Sequence, residues 1–170
     1  DITKKSKFKR FYESNKILIF SSISILMVTI ISLSIYFAYK EKNKILLSEK
    51  YVQAKIYIAD DNRDKATNLL KEVIFSDDPT YSTLSFFLIL NQNLITDYQE
   101  QSILFDHLLN NNKFEKEVKN LLIYKRALFN SNFISESNMI EDIQPLLNTE
   151  TFWKPHALLL MGDYFVEKKE

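Results

Sequence analysis

Two different hydrophobic patterns follow one another along this chain. From Ile17 to Tyr39 no residue is charged (ILIFSSISILMVTIISLSIYFAY). Beyond Tyr39, apolar residues recur every three or four positions, broken by short clusters of Asn, Asp and Ser. The first pattern predicts a helix with no polar face. At 1.5 Å per residue it reaches roughly 34 Å, enough to cross a hydrocarbon core of about 30 Å. A buried helix of a soluble protein rarely runs so far without a charged face, and Lys16 and Lys40 flank the run. The reading is a transmembrane helix over 17–39.

The second pattern predicts amphipathic helices. No Gly or Pro occurs before Pro79, so the span is expected to continue as one helix through KEKNKILLSEKYVQAKIYIA to a turn at Asp60 to Asp64. Ile45, Val52, Ile56 and Ala59 form one apolar stripe on it, and Tyr51, Ala54 and Ile58 a neighbouring one. A helix follows over 65–75 with Leu69, Leu70, Val73 and Ile74 inward, closed by Ser-Asp-Asp-Pro. Further helices are expected at about 80–91, 97–111, 113–130, 135–148 and 152–168. Helix starts near 48, 80, 115 and 152 lie 32 to 37 residues apart, each opening a pair. A period in the mid-thirties built of helix pairs marks an α-solenoid, in which each pair buries its apolar face against its neighbours.

Composition sharpens this all-α expectation. Among 170 residues there is one glycine, Gly162, and three prolines, Pro79, Pro145 and Pro155. Sandwiches, barrels and Rossmann units need more residues that tolerate positive φ. One glycine also cannot write a phosphate-binding loop or a nucleophile elbow. There is no cysteine, hence no disulfide and no thiolate ligand. His107 and His156 fall in separate predicted helices without a metal-binding partner pattern, so no zinc site is expected. The carboxylate pairs Asp60/Asp61, Asp77/Asp78 and Glu141/Asp142 sit at turns or in an amphipathic helix, where capping and solvation account for them. No catalytic residue, cofactor, metal or small-molecule substrate is expected.

Charge supplies orientation. The net charge is zero, but residues 1–39 carry six basic and two acidic side chains, leaving 16 and 20 for residues 40–170, a net −4. Lys4, Lys5, Lys7, Lys9, Arg10 and Lys16 precede the span, against Lys40, Lys42, Lys44 and Lys50 just after it. The positive-inside bias places the N-terminus in the cytoplasm, with a basic tail over 1–16 and everything after Tyr39 outside. The apolar run is longer than a signal-peptide core, and Ile35-Tyr36-Phe37-Ala38-Tyr39 lacks a signal-peptidase site, so the span is expected to stay attached. Phe8, Phe11 and Tyr12 at one end and Tyr36, Phe37 and Tyr39 at the other suit interfacial aromatic belts. The basic tail serves topology and anionic lipid rather than nucleic acid. Within the span, Ser21, Ser22, Ser24, Thr29 and Ser32 fall within about 160° of one another. Ser21, Ser24, Thr29 and Ser32 are thus candidates for packing against another membrane helix, the alternative being hydroxyls that bond back to their own helix.

The repeat region carries a resemblance. Ala54, Tyr57, Ala66, Leu70 and Val73, ending on Pro79, resemble a degenerate tetratricopeptide repeat: a small residue at the helix crossing, an aromatic one turn on, a small residue in the second helix, a closing proline. LILNQNLITDYQEQSILFDHLL is similar to a next repeat with Phe105 as its aromatic, although Gln101 and Leu108 replace the usual Ala. Leu158, Met161, Gly162 and Phe165 resemble the start of another, Gly162 allowing close helix crossing. Together with the basic tail and the uncleaved span, the whole chain resembles the tetratricopeptide-repeat-like, YfgM-type ancillary subunits of the SecYEG translocon. The resemblance implies a single-pass inner-membrane protein with about three helix pairs in the periplasm, contacting translocon subunits and periplasmic chaperones or exported chains. A scaffold for another envelope complex, in outer-membrane assembly or cell division, is the alternative. An inverted topology with the repeats in the cytoplasm is a third.

Surfaces rather than sites are therefore expected to carry the function. Tyr81, Phe86, Phe87, Tyr124 and Trp153 are candidate partner-binding aromatics on the concave face, although periodic aromatics in repeats more often form core. The chain stops after the first helix of a pair, so a further helix is expected beyond Glu170.

Overall fold

The computed structural model describes residues 2–168, and among them it contains seven α-helices and no strand. These are α1 (Ile2–Ala59), α2 (Arg63–Ile74), α3 (Pro79–Asn91), α4 (Tyr98–Asn111), α5 (Lys116–Asn130), α6 (Glu136–Leu147) and α7 (Lys154–Glu167). The all-α architecture and the long apolar N-terminal helix match the sequence pattern. The helix begins earlier than the span requires, taking in the basic tail. The side chains of Lys4, Lys5, Lys7, Phe8 and Arg10, like the residue Glu170, lie outside the described residues.

Contacts divide the chain into two units, Asp1–Leu46 and Leu47–Glu170. In the first, the most apolar stretch of α1 has mean hydropathy 2.4 and no part of it buried. This helix is long and apolar enough to cross a membrane.

In the second unit the turns are built without glycine. Asp61, Asp77 and Asn93 take left-handed backbone, φ 57°, 57° and 47°. Asp and Asn tolerate it better than other non-glycine residues because their short polar side chains bond locally. Asp78 sets the next boundary. Its carboxylate accepts hydrogen bonds from the backbone N–H groups of Thr80 (3.0 Å) and Tyr81 (2.9 Å), and Pro79 takes the first helical position. The Asp-Pro pair read from sequence as closing the preceding helix therefore opens α3; α2 has already ended at Ile74. Asp97 caps α4 in the same way through Glu100 N–H (2.9 Å).

Two clusters make the core. The first joins Ala54 of α1 to Leu70 and Ile74 of α2, Phe86 of α3, Phe105 and Leu108 of α4, and Leu122 of α5. Phe86 and Phe105 meet with ring centroids 4.6 Å apart. The second joins Ala127 of α5, Met139 and Ile143 of α6, and Ala157 and Tyr164 of α7. Tyr164 Oη donates to the Ile134 carbonyl at 2.8 Å, which satisfies the hydroxyl of a buried ring. Ile123 of α5 touches both clusters. Each helix from α2 onward packs on its successor, and α5 also reaches α7. The starts of α3, α5 and α7 are 37 and 38 residues apart, close to the spacing read from sequence.

Of the residues expected to pack these helices, Ala54, Ala66, Leu70 and Phe105 are buried. Tyr57 and Phe165 are half-buried, and the Lys65 ammonium lies 5.7 Å from the Tyr57 ring centroid. Gly162 departs from expectation. A Cβ placed on it meets nothing within 4 Å among the described residues, so no close helix crossing depends on it. The two apolar stripes of α1 also part ways. Tyr51, Ala54 and Ile58 join the first core, whereas Ile45, Val52 and Ile56 stay about half exposed.

Candidate interaction groove

Along α4, α5 and α6 the second unit opens a groove of about 610 Å³. Its floor is a polar chain that helical spacing assembles. Arg126 and Asn130 stand one turn apart on α5, so both side chains leave the same face. Asp106 reaches Arg126 from α4, and Asp142 reaches both from α6. Arg126 Nη2 lies 2.8 Å from Asp106 Oδ1, and its Nη1 3.5 Å from Asp142 Oδ1. Asn130, only 4% exposed, accepts from Tyr98 Oη at 3.1 Å and donates to Asp142 Oδ2 at 2.6 Å. Tyr98 is held by stacking on Phe133 and Phe129, at centroid distances of 4.2 and 5.4 Å.

One guanidinium is thus shared by two carboxylates from two other helices. Arginine suits this role because its planar donors can face several acceptors at once. Arg126 Nε is buried without a hydrogen-bond partner among the described residues. Lys119 and Glu141 stand on the walls of the groove. It presents fixed donors and acceptors of both signs, open to solvent.

The aromatics anticipated as partner surface separate into three environments. Phe86 is completely buried, so it is core and not surface; its neighbour Phe87 is half-buried against the same cluster. Tyr81 is half-buried beside Tyr51, ring centroids 6.4 Å apart. Tyr124 and Trp153 stack at 5.7 Å with His156 against both, forming a half-exposed aromatic ledge between α5 and the start of α7. His107 lies elsewhere. Its Nε2 is 2.8 Å from Asp77 Oδ1 and its ring packs edge-on against Phe75, which ties α4 to the turn after α2. Among the described residues no group of three or more potential metal ligands comes together.

In the apolar stretch of α1 Ser21 Oγ donates to the Leu18 carbonyl at 3.1 Å, and Thr29 Oγ1 to the Ile25 carbonyl at 2.9 Å. Those two hydroxyls are satisfied within their own helix. Ser24 and Ser32 are exposed on it.

Sequence reasoning did not single out Tyr98, Asp106, Arg126 or Asn130. In sequence Arg126 is one more charge on an amphipathic helix and Asn130 its last residue. Their four-residue spacing was the available signal, but such spacing is common on solvated faces. No family model, curated protein or solved structure matches the chain.

Proposed function

We propose that this chain is a membrane-anchored, non-enzymatic protein-interaction module. The observation that carries it is an unburied apolar span followed along the chain by a helical unit with an open groove lined by fixed donors and acceptors of both signs. The helix pairs stack as an α-solenoid of degenerate tetratricopeptide-like repeats, a reading supported by the chain-order packing and the 37- and 38-residue spacing of alternate helices. The span lies in a bacterial inner membrane with the N-terminus cytoplasmic and the repeats periplasmic, on the strength of the lysines before Ile17. The resemblance to YfgM-type subunits directs the partner choice to SecYEG and to periplasmic chaperones or exported chains.

A photo-crosslinking side chain at Lys119 or Asn138, on the walls of the groove, tests this in intact membranes. Translocon subunits or chaperones are the expected adducts. Capture of outer-membrane assembly or division proteins alone would replace the translocon assignment with the scaffold reading. Protease accessibility in spheroplasts checks the topology: the repeat domain is expected to be cut from outside.

A further inference from the structure

The exposed stripe of α1 has a register of its own. Every seventh residue from Ile17 to Ala59 is uncharged, through Ser24, Ile31, Ala38, Ile45 and Val52. A straight α-helix drifts about 20° per heptad, so a strict seven-residue repeat stays on one line only when the helix supercoils left-handedly with another helix. Numbering these residues as position d makes Ser21, Val28, Ile35 and Ile56 position a.

Within the second unit this register matches the burial. Tyr51, Ala54 and Ile58 fall at c and f, on the side of α1 that joins the first core. Val52 and Ile56, at d and a, face away from that core with 51% and 48% of their surface exposed. In the first unit Ile45 is 55% exposed at d. Past the span, Ile45, Val52 and Ile56 are left uncovered where a coiled-coil seam would cover them, with Leu46 exposed beside them at e.

The geometry points to a second copy of this chain on that seam, in a parallel, in-register dimer along α1. Two copies inserted in one membrane with one orientation run parallel, which is the arrangement the register needs. Beside the seam one charge pair favours it. Lys55 at g faces Asp60 at e of the following heptad in the second copy, an attractive pairing in a parallel dimer. Lys42 and Glu49, both at a, each meet their own counterpart, with the second copy's Glu41 at g beside Lys42. Those two layers oppose the dimer, as polar a positions commonly do while holding the register. The c and f face, where the rest of the second unit packs, points away from the seam, so the partner helix can approach.

The chain has no cysteine, so single Cys substitutions in the full-length protein in membranes report directly. With an oxidant, Ile45→Cys, Val52→Cys and Ile56→Cys are expected to form disulfide-linked homodimers at least fivefold more efficiently than Asn43→Cys and Lys44→Cys. In the Val52→Cys background, adding Lys55→Glu is expected to lower the yield, and Lys55→Glu with Asp60→Lys to restore it. Glu49→Gln is expected to raise it. Equal cross-linking at all positions, none at the seam, capture of a different protein at Val52, or no response to the charge exchange would overturn the dimer. None of these outcomes depends on which partner the groove binds.

Discussion

Phe20 and Phe105 are the same residue in two surroundings. Phe20, on the apolar stretch of α1, is 59% exposed, with Leu18 and Ile23 beside it similarly exposed; Phe105 is 1% exposed, its ring against Phe86 and Phe87 of α3 and Phe129 of α5. In the helical domain apolar side chains are stable because they find one another, which confines them to one face of each helix. In the span they point in every direction and find nothing within the chain. At roughly 1.5–3 kcal/mol per large side chain left in water, that arrangement is the one a helix able to cross a membrane would have. Burial in the first case is specified by shape, in the second only by hydrophobicity and length.

That contrast can be broken from either side. Phe105→Ala should cost the domain about 3–5 kcal/mol, because a fully buried aromatic leaves a cavity where two helices meet. Denaturant titration of the full chain in detergent, followed by Trp153 fluorescence, measures it, and membrane insertion should not change. Leu26→Arg should do the reverse. A charge at the centre of the span costs about 2.5–3.5 kcal/mol of insertion, read as carbonate-extractable protein, with the domain's unfolding midpoint unchanged. The polar groove lies between these extremes. Asn130→Ala removes the acceptor of Tyr98 and a donor to Asp142, for an expected loss of about 1–3 kcal/mol in the same denaturant titration. Asp78→Ala removes the cap of α3, at about 0.5–2 kcal/mol. The smallest effect has the opposite sign. Gly162→Ala in α7 should stabilise by about 0.5–1 kcal/mol, since the added Cβ meets nothing and the helix gains propensity. A loss of stability there would reveal a contact that Gly162 makes elsewhere.

Periodicity was enough to locate every helix to within three residues at each end, apart from the N-terminal extension of α1, because Asn, Asp and Ser mark these turns as clearly as glycine would. The turn at Asp78-Pro79 was harder to read. The pair is equally compatible with stopping one helix and starting the next, and only the hydrogen bonds to Thr80 and Tyr81 decide. Phe86 and Gly162 are ambiguous in sequence for related reasons. A periodic aromatic does not disclose whether its face is covered, and a helical glycine does not disclose what passes over it.

Local sequence determined the span, the positions of the helices and the poverty of catalytic motifs, because hydrophobic length, period and turn chemistry act over a few residues at a time. The Arg126 network belongs to the tertiary structure alone. Asp106 and Asp142 meet one guanidinium only after three helices pack, across sequence separations that no local pattern records. The same packing chose between the two apolar stripes of α1. Both were legible, but which one faced the core depended on where α2 and α3 came to lie.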